Sequence, residues 1–447
     1  MARPGLIMLL LVLVTGTALP QERPPELSSQ DRERGHRMLR RIREQLEKDY
    51  YDTTYHGVDL EQTYAAADSA VDAAGSLPEI MGAVAEFLAN LHDSHTSFDP
   101  PGYSVTVDYG WSAQAIGDAC YAVSVKPQSD AAKQGLKVGD RVIAVDGIRL
   151  SRESLHLVNY VYYRLSPRPG MRLLVEHANG EQQDITFTAD LKRGPPITDV
   201  RDIEQRRFLE EQRRRQSGHP NHHRTSFGDS VMVWRMHGFR TGTGVGYYDE
   251  AIDRHMAEAR KHRHLILDLR GNSGGAVVTV MRLLGHFFGD SIPLATDVRR
   301  DTVVELFVRP VSRTPYAGEV TVLLDSHSAS ASEVTGRTLQ LRGRATIVGD
   351  RSAGAVMTSI YRLLELGSIF QARVLWFGMS VTVSDLVMPD GKSLEGTGVV
   401  PNIAVLPTSA DLAGERDPAL AFALELAGVK LDPHDAWKLF PDRRTEN

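Results

Sequence analysis

Apolar residues recur at three- and four-residue spacing over Arg34–Lys48 and Glu79–Leu91, which predicts two amphipathic helices. Residues 27–99 as a whole are rich in helix formers and read as an N-terminal helical domain. The run Leu91-His92-Asp93-Ser94-His95-Thr96-Ser97-Phe98 ends it, and Pro100-Pro101 breaks the chain. The period then shortens. β-type runs at Ser104–Val107, Tyr121–Val125, Arg141–Val145, Arg172–Glu176 and Asp184–Thr188 alternate with turn signals such as Val138-Gly139-Asp140 and Asp146-Gly147. They predict a small β-rich module over residues 103–192. From Val231 onward strands and helices alternate. Strands are expected at Val231–Met236, Leu265–Leu269, Val320–Leu324 and Ala345–Val348, and helices at Tyr247–Lys261, Ala276–Phe288 and Ala331–Leu341. That alternation predicts an α/β domain over residues 227–410, with 411–447 as a C-terminal extension.

Composition interrupts this pattern twice. Residues 195–226 open with Pro195-Pro196 and mix Arg206-Arg207 and Arg213-Arg214-Arg215 with Glu204, Glu210 and Glu211. They read as a charged linker, and the histidines at 219, 222 and 223 as part of a solvated loop, since no carboxylate–histidine spacing supports a metal. At the start, Arg3 precedes the apolar run Leu6–Val14 and then Thr15-Gly16-Thr17-Ala18. A basic start, a short apolar core and small residues predict a secretory signal over residues 1–18. The run is too short to span a bilayer comfortably, and nothing later in the chain reads as transmembrane. The expected location is therefore exported, in a bacterial periplasm or outside the cell.

The chain of 447 residues is long enough for two or three domains, and its net charge of −6 leaves no nucleic-acid footprint. Cys120 is the single cysteine, so no intramolecular disulfide can form. No phosphate-cradling Gly-x-x-x-x-Gly-Lys loop occurs, and no cofactor or metal is implied. The expected partners are protein or peptide substrates, with a homo-oligomer left open.

Chemistry concentrates at two strand-to-helix corners. Val320-Thr321-Val322-Leu323-Leu324 leads into Asp325-Ser326-His327-Ser328-Ala329-Ser330-Ala331-Ser332-Glu333. Such a corner holds a serine hydroxyl at a helix N-terminus, beside backbone N–H groups able to stabilise an oxyanion. His264-Leu265-Ile266-Leu267-Asp268-Leu269 leads into Arg270-Gly271-Asn272-Ser273-Gly274-Gly275, where glycines allow close backbone approach. Taken singly, the second corner equally suits a helix cap and the first a packed helix start. A serine that attacks a carbonyl also needs a base, because an unassisted hydroxyl is a poor nucleophile. Among sixteen histidines, His95 stands out by its Leu-x-Asp-Ser-His-Thr setting.

These pieces, together with Glu395-Gly396-x-Gly398-Val399-x-Pro401-Asn402, occur in the order that resembles the tail-specific (C-terminal-processing) serine peptidases and their relative, the tricorn core protease. The resemblance implies a crotonase-like (ClpP-like) α/β catalytic domain. It also implies a site of serine, histidine, a serine beside that histidine, and a glutamate: Ser330, His95, Ser94 and Glu395. The Ser/Lys members of the family carry a lysine downstream of the serine. At that spacing this chain has Ala355, and no lysine lies between Ser330 and Lys392. The Ser/His/Ser/Glu branch is therefore the better match. By the same resemblance Ala331 with Gly274 or Gly275 forms the oxyanion hole. Glu333 and Asp93 remain alternatives to Glu395 as the carboxylate that orients the imidazole.

The 103–192 module resembles a PDZ domain through Ser129–Gly147. PDZ domains capture a C-terminal carboxylate in a backbone nest, which here would be Tyr109-Gly110-Trp111-Ser112-Ala113. The implied function is an exported serine endopeptidase that recognises substrates through their C-termini. The alternative is an inactive PDZ-bearing protein of the same fold. It would bind peptides or hydrophobic ligands, as does interphotoreceptor retinoid-binding protein, which the fold also resembles.

Overall fold

The computed structural model describes residues 27–101, 105–193, 221–239, 251–367 and 374–440. The expected signal segment, residues 1–18, and most of the charged segment 195–226 lie outside the described residues. The chain divides into two compact units that are not contiguous in sequence. The first holds the described residues up to Ala113, then 125–193 and Thr358–Ser384; the second holds Gln114–Ser124, 221–357 and 385–440. Among the described residues no helix is long and apolar enough to cross a membrane.

The first unit begins with three helices, Ser29–Asp49, Leu60–Ala73 and Leu77–Ala89. The first two start where a side chain caps their free N–H groups. Ser28 and Asp31 form a reciprocal capping box, and Asp59 Oδ1 accepts from the Gln62 N–H at 3.0 Å. Met38, Leu39, Ile42 and Leu46 bury one stripe of the first helix. The β-rich part follows. Arg141–Val145 pairs antiparallel with Gly170–Glu176, which pairs antiparallel with Gln182–Thr188. Its inward positions, Val142, Val145, Leu173, Val175, Ile185 and Phe187, form the core there. A long antiparallel pair, Thr358–Leu366 with Leu375–Val387, takes Ser97–Asp99 as a further strand. Neither member of that pair was anticipated from the sequence.

The second unit is built on one sheet. Its order is His222–Phe227, Val231–Met236, His264–Asp268, Glu319–Leu324, Thr346–Gly349 and Ile403–Ala404. The first pairing is antiparallel and the rest are parallel. The parallel strands are buried on both faces, as such strands require. On one face Met232, Trp234, Leu265, Leu267 and Val322 pack with the helices Val277–Leu284 and Ala331–Leu341. On the other, Val231, Val233, Ile266, Leu323 and Val348 pack with the helices Pro418–Leu426 and Pro433–Lys438. The strand Val231–Met236 and the helix Ala331–Leu341 fall where the pattern predicts them. The helix predicted at Tyr247–Lys261 is Ala251–Ala259 among the described residues.

One expectation is corrected. His222 and His223 do not lie in a solvated loop. They open a strand whose register sets His222 opposite Met236 and His223 opposite Arg235. The Trp234 indole N–H donates to His222 Nδ1 at 3.2 Å. A neighbouring strand supplies the ladder and the ring contacts, and a polar sequence does not advertise either.

Candidate active site

Ser330 lies between the Glu319–Leu324 strand and the Ala331–Leu341 helix, with φ 53° and ψ −113°. A non-glycine residue in this left-handed region is strained and persists only where its surroundings over-determine it. Those surroundings are specific. The Ser330 N–H donates to the Ala355 carbonyl at 2.8 Å and to Glu333 Oε2 at 2.9 Å. Ser328 Oγ, two residues earlier, donates to the Leu269 carbonyl at 2.9 Å. The Ser332 hydroxyl donates to the Asn272 carbonyl at 2.8 Å. The serine corner is thereby bolted to the glycine corner.

Asn272, left without a role in the sequence reading, is the bolt on the glycine side. It is fully buried, its Nδ2 donates to the Met236 carbonyl at 2.9 Å, and its Oδ1 accepts from the Gly274 N–H at 2.9 Å. Gly274 (φ 104°) comes so close to the serine corner that a Cβ there would sit 2.7 Å from the Ser330 Cβ and 3.0 Å from the Ala331 nitrogen. Gly275 (φ 143°) runs against Phe239, where a Cβ would meet a carbonyl oxygen at 2.1 Å. The Gly274 N–H is thus engaged. Among the described residues, neither the Gly275 nor the Ala331 N–H has a hydrogen-bond partner. Two free N–H groups therefore stand in the two loops that meet beside Ser330.

Glu333 is a second feature whose role the sequence left open. Its side chain is fully buried. Besides the Ser330 N–H, it accepts from the Gly354 N–H (2.8 Å), the Ala355 N–H (2.9 Å) and the Ser352 hydroxyl (2.6 Å). Burial pushes its carboxyl up from the usual range, although the Ser352 hydroxyl and these N–H donors all pull the other way. With every lone pair taken by local donors, Glu333 is a positioning group for the serine corner. Glu395 joins the same segment from the other side. Its Oε2 accepts from the Val356 N–H at 3.0 Å, and the Gly396 N–H donates to the Gly354 carbonyl at 2.8 Å. Residues 354–356 thus connect Glu395 with Ser330 inside the second unit.

Ser94 and His95 belong to the first unit. Ser94 Oγ and His95 Nδ1 are hydrogen-bonded at 2.7 Å. Asp93 builds the turn beneath them, since its Oδ1 accepts from the His95 N–H (2.9 Å), the Thr96 N–H (2.5 Å) and the Thr382 hydroxyl (2.9 Å). Its Oδ2 accepts from the Tyr50 hydroxyl at 2.8 Å. Burial, then the Asp93 charge, pushes the Tyr50 phenol far up, so it stays a neutral donor. Asp93, like Glu333, is occupied by scaffolding.

Of the PDZ-type positions, Tyr109 is buried, donating to the Tyr162 carbonyl at 3.3 Å and accepting from the Arg168 N–H at 3.1 Å. The Gly110 N–H donates to Asp108 Oδ1 at 2.9 Å and its carbonyl accepts from the Lys126 N–H at 2.8 Å. Among the described residues the Trp111 Nε1 and Ser112 Oγ are buried without a hydrogen-bond partner. Ala113 is half-buried. In the second unit Gln114 Nε2 donates to Asp325 Oδ2 at 2.9 Å and the Ser326 hydroxyl to the Ala115 carbonyl at 2.6 Å. The segment after Ala113 therefore grips the start of the serine corner.

Residues 232–405 match the model of peptidase family S41. The match covers both corners and Glu395. Carboxy-terminal processing protease CtpB of Bacillus subtilis is 25% identical over 287 residues, 63% of this chain and 52% of that protein. Carboxyl-terminal-processing peptidase 1, chloroplastic, of Arabidopsis thaliana is 24% identical over 349 residues, 72% of this chain and 62% of that protein. The chain thus spans between half and two thirds of the length of these two curated relatives. A solved structure of mature CPAF complexed with lactacystin aligns with a TM-score of 0.64 at 16% identity, covering 89% of this chain and 98% of that one. That likeness concerns the fold, a mixed α/β architecture shared with such peptidases.

Proposed function

We propose that this chain is a serine peptidase that hydrolyses peptide bonds of protein or peptide substrates. The observation that carries the reading is Ser330. It is a strained serine at a helix N-terminus, clamped by Glu333 and Ala355, with the unpartnered N–H groups of Ala331 and Gly275 in the two loops that meet there. In this reading Ser330 Oγ attacks the substrate carbonyl while His95 takes its proton. The tetrahedral oxyanion is held by the Ala331 and Gly275 N–H groups. Gly274 shapes the loop, because its own N–H is given to Asn272. One such donor is typically worth about 3 kcal/mol of transition-state stabilisation. The imidazolium is stabilised through Ser94, and Glu395 is the carboxylate of the set, since Glu333 and Asp93 are saturated by other donors. His95 then returns the proton to the leaving amine, and water resolves the acyl-enzyme.

The finer parts of the reading follow the resemblance: a crotonase-like (ClpP-like) catalytic domain, an inserted PDZ module over 103–192 and an exported location. Two relatives carry carboxy-terminal processing in their names, which supports substrates engaged through their C-termini. The absence of a lysine between Ser330 and Lys392 favours the histidine branch.

A fluorophosphonate probe tests the core of this. It should label Ser330, and Ser330→Ala should lose both labelling and peptide cleavage with its thermal midpoint nearly unchanged. His95→Ala should slow labelling strongly. Undiminished turnover by Ser330→Ala would refute the assignment.

A further inference from the structure

The five parallel strands end on one edge of the sheet, and the strand period places Arg235 on the face opposite the serine helix. At that edge lies a cavity of about 150 Å³, lined among others by Gln114, Arg235, Arg270, Asp325, Asp350 and Arg416. Crevices at the carboxyl ends of parallel strands are where open α/β sheets bind ligands. The charges of this cavity are nearly all spoken for. Arg270 is paired with Asp268 and Asp417, each at 2.8 Å. Arg416 faces Asp411 at 3.4 Å and Asp432 at 3.9 Å. Asp325 Oδ2 accepts from Gln114, and Asp350 Oδ2 from the Gly117 N–H at 3.0 Å.

Arg235 is different. It is only 6% exposed, and among the described residues neither its Nε nor its Nη1 has a hydrogen-bond partner. The ring of Phe440 lies 5.8 Å from the guanidinium carbon, and His223 and Asp268 stand opposite Arg235 in the strand register. A buried guanidinium cannot relieve itself by losing a proton, so it calls for an anion.

We propose that this cavity is a carboxylate-binding site, with Arg235 as the residue that pairs with the bound anion. The unfilled N–H groups of Arg235 match an acceptor that carries a single negative charge. Asp325, Asp350 and Asp417 around it disfavour a dianion such as phosphate, and the arginines disfavour a cation. The carboxylate comes either from a small organic acid or from the free C-terminus of a peptide. The site goes beyond the peptidase reading and does not rest on it, because its lining centres on Arg235, Arg416 and Asp417 and does not include Ser330.

The test uses the full chain carrying Ser330→Ala, so that no peptide is consumed. Three probes are titrated calorimetrically and by thermal shift at constant ionic strength: acetate, acetyl-trialanine as the free acid, and its C-terminal amide. The free acid should bind and raise the midpoint while the amide does not. Acetate matching the free acid assigns the site to small acids, and a clear preference for the tripeptide acid assigns it to peptide termini. Adding Arg235→Met should weaken the free acid by about tenfold or more. Without carboxylate the same variant should melt no lower than its parent, since an unpaired buried charge stabilises nothing. Arg235→Gln repeats the comparison if the Met variant does not fold. Equal response to acid and amide, or a response that survives both substitutions, overturns the proposal.

Discussion

Two fully buried carboxylates sit beside the two corners of the candidate site, and they are neutralised by opposite means. Asp268, ahead of the glycine loop, meets Arg270 through two hydrogen bonds of 2.8 Å, and Arg270 reaches on to Asp417 at the N-cap of the helix Pro418–Leu426. Glu333, behind the serine, meets only neutral donors. Burial works against the charge of Arg270, yet Asp268 and Asp417 hold it well above its ordinary range. Burial raises Glu333 instead, because hydroxyl and N–H dipoles compensate a charge less fully than a guanidinium does. The ion-paired cluster fixes where a strand and a helix meet. The dipole-held carboxylate fixes the backbone of one strained serine and remains titratable.

The largest effect should come from breaking the ion-paired member. Arg270→Met leaves Asp268 and Asp417 buried without their cation. Removing one partner of a buried pair costs about 3–5 kcal/mol, so the urea midpoint should fall steeply. Combining it with Asp268→Leu should recover part of the loss, because an apolar replacement needs no partner. A single variant as stable as wild type would mean that the cluster is hydrated and merely local.

Glu333→Gln is the matching change at the other carboxylate. It sets an amide N–H₂ against N–H donors and should cost about 1–3 kcal/mol at neutral pH. Fluorophosphonate labelling should also slow, by roughly tenfold to a hundredfold, as the Ser330 backbone loses its clamp. The pH dependence has a definite sign. Below the ordinary carboxyl value of 4.5 the side chain is protonated both folded and unfolded. As pH rises past it the unfolded chain releases the proton first, so stability falls until folded Glu333 ionises too. Glutamine has no such slope. The stability gap between wild type and Glu333→Gln should therefore narrow as pH rises, and denaturant titrations across that window measure it. A widening gap would show that the N–H donors outweigh burial.

Much of the second unit was legible because its elements are long, regular and apolar. Val231–Met236 and Ala331–Leu341 declare themselves by continuous or helix-spaced apolar residues. Ser330, Gly274 and Gly275 were found by the corners they occupy. Other parts were silent for physical reasons. His222–Phe227 is a polar edge strand whose order comes from its neighbour. The hairpin Ile292–Arg299 with Val303–Val308 leaves Val303, Val304 and Phe307 exposed, so no clean alternation marks it. The sequence-defined modules are contiguous stretches, whereas the compact units exchange Gln114–Ser124 and Thr358–Ser384. Long-range pairing of that kind has no local signature. Glu333 and Ser352 could have been suspected only from a carboxylate in the first turn of a helix, a setting that ordinarily signals a favourable dipole contact and nothing more.

The smallest expected effect extends the comparison to a third buried charge, Arg235, whose Nε and Nη1 have no hydrogen-bond partner among the described residues. Its near neighbour His237 is pushed down to about 4, first by burial, then by the Arg235 charge, with His223 and His222 adding and Asp268 opposing. Between about 4 and the ordinary 6.5 the unfolded chain takes a proton that the folded chain refuses, so this contribution to stability is lost as pH falls through that window. Arg235→Met removes the second cause and leaves the first. The His237 midpoint, followed by proton NMR of the ring, should rise by less than about 1 pH unit. Acetate bound at Arg235 in the otherwise unaltered protein should move it the same way, because a compensated guanidinium repels an imidazolium less. An unmoved midpoint in both experiments would leave burial as the sole cause. It would also place Arg235 with Arg270, among the charges this fold has already answered.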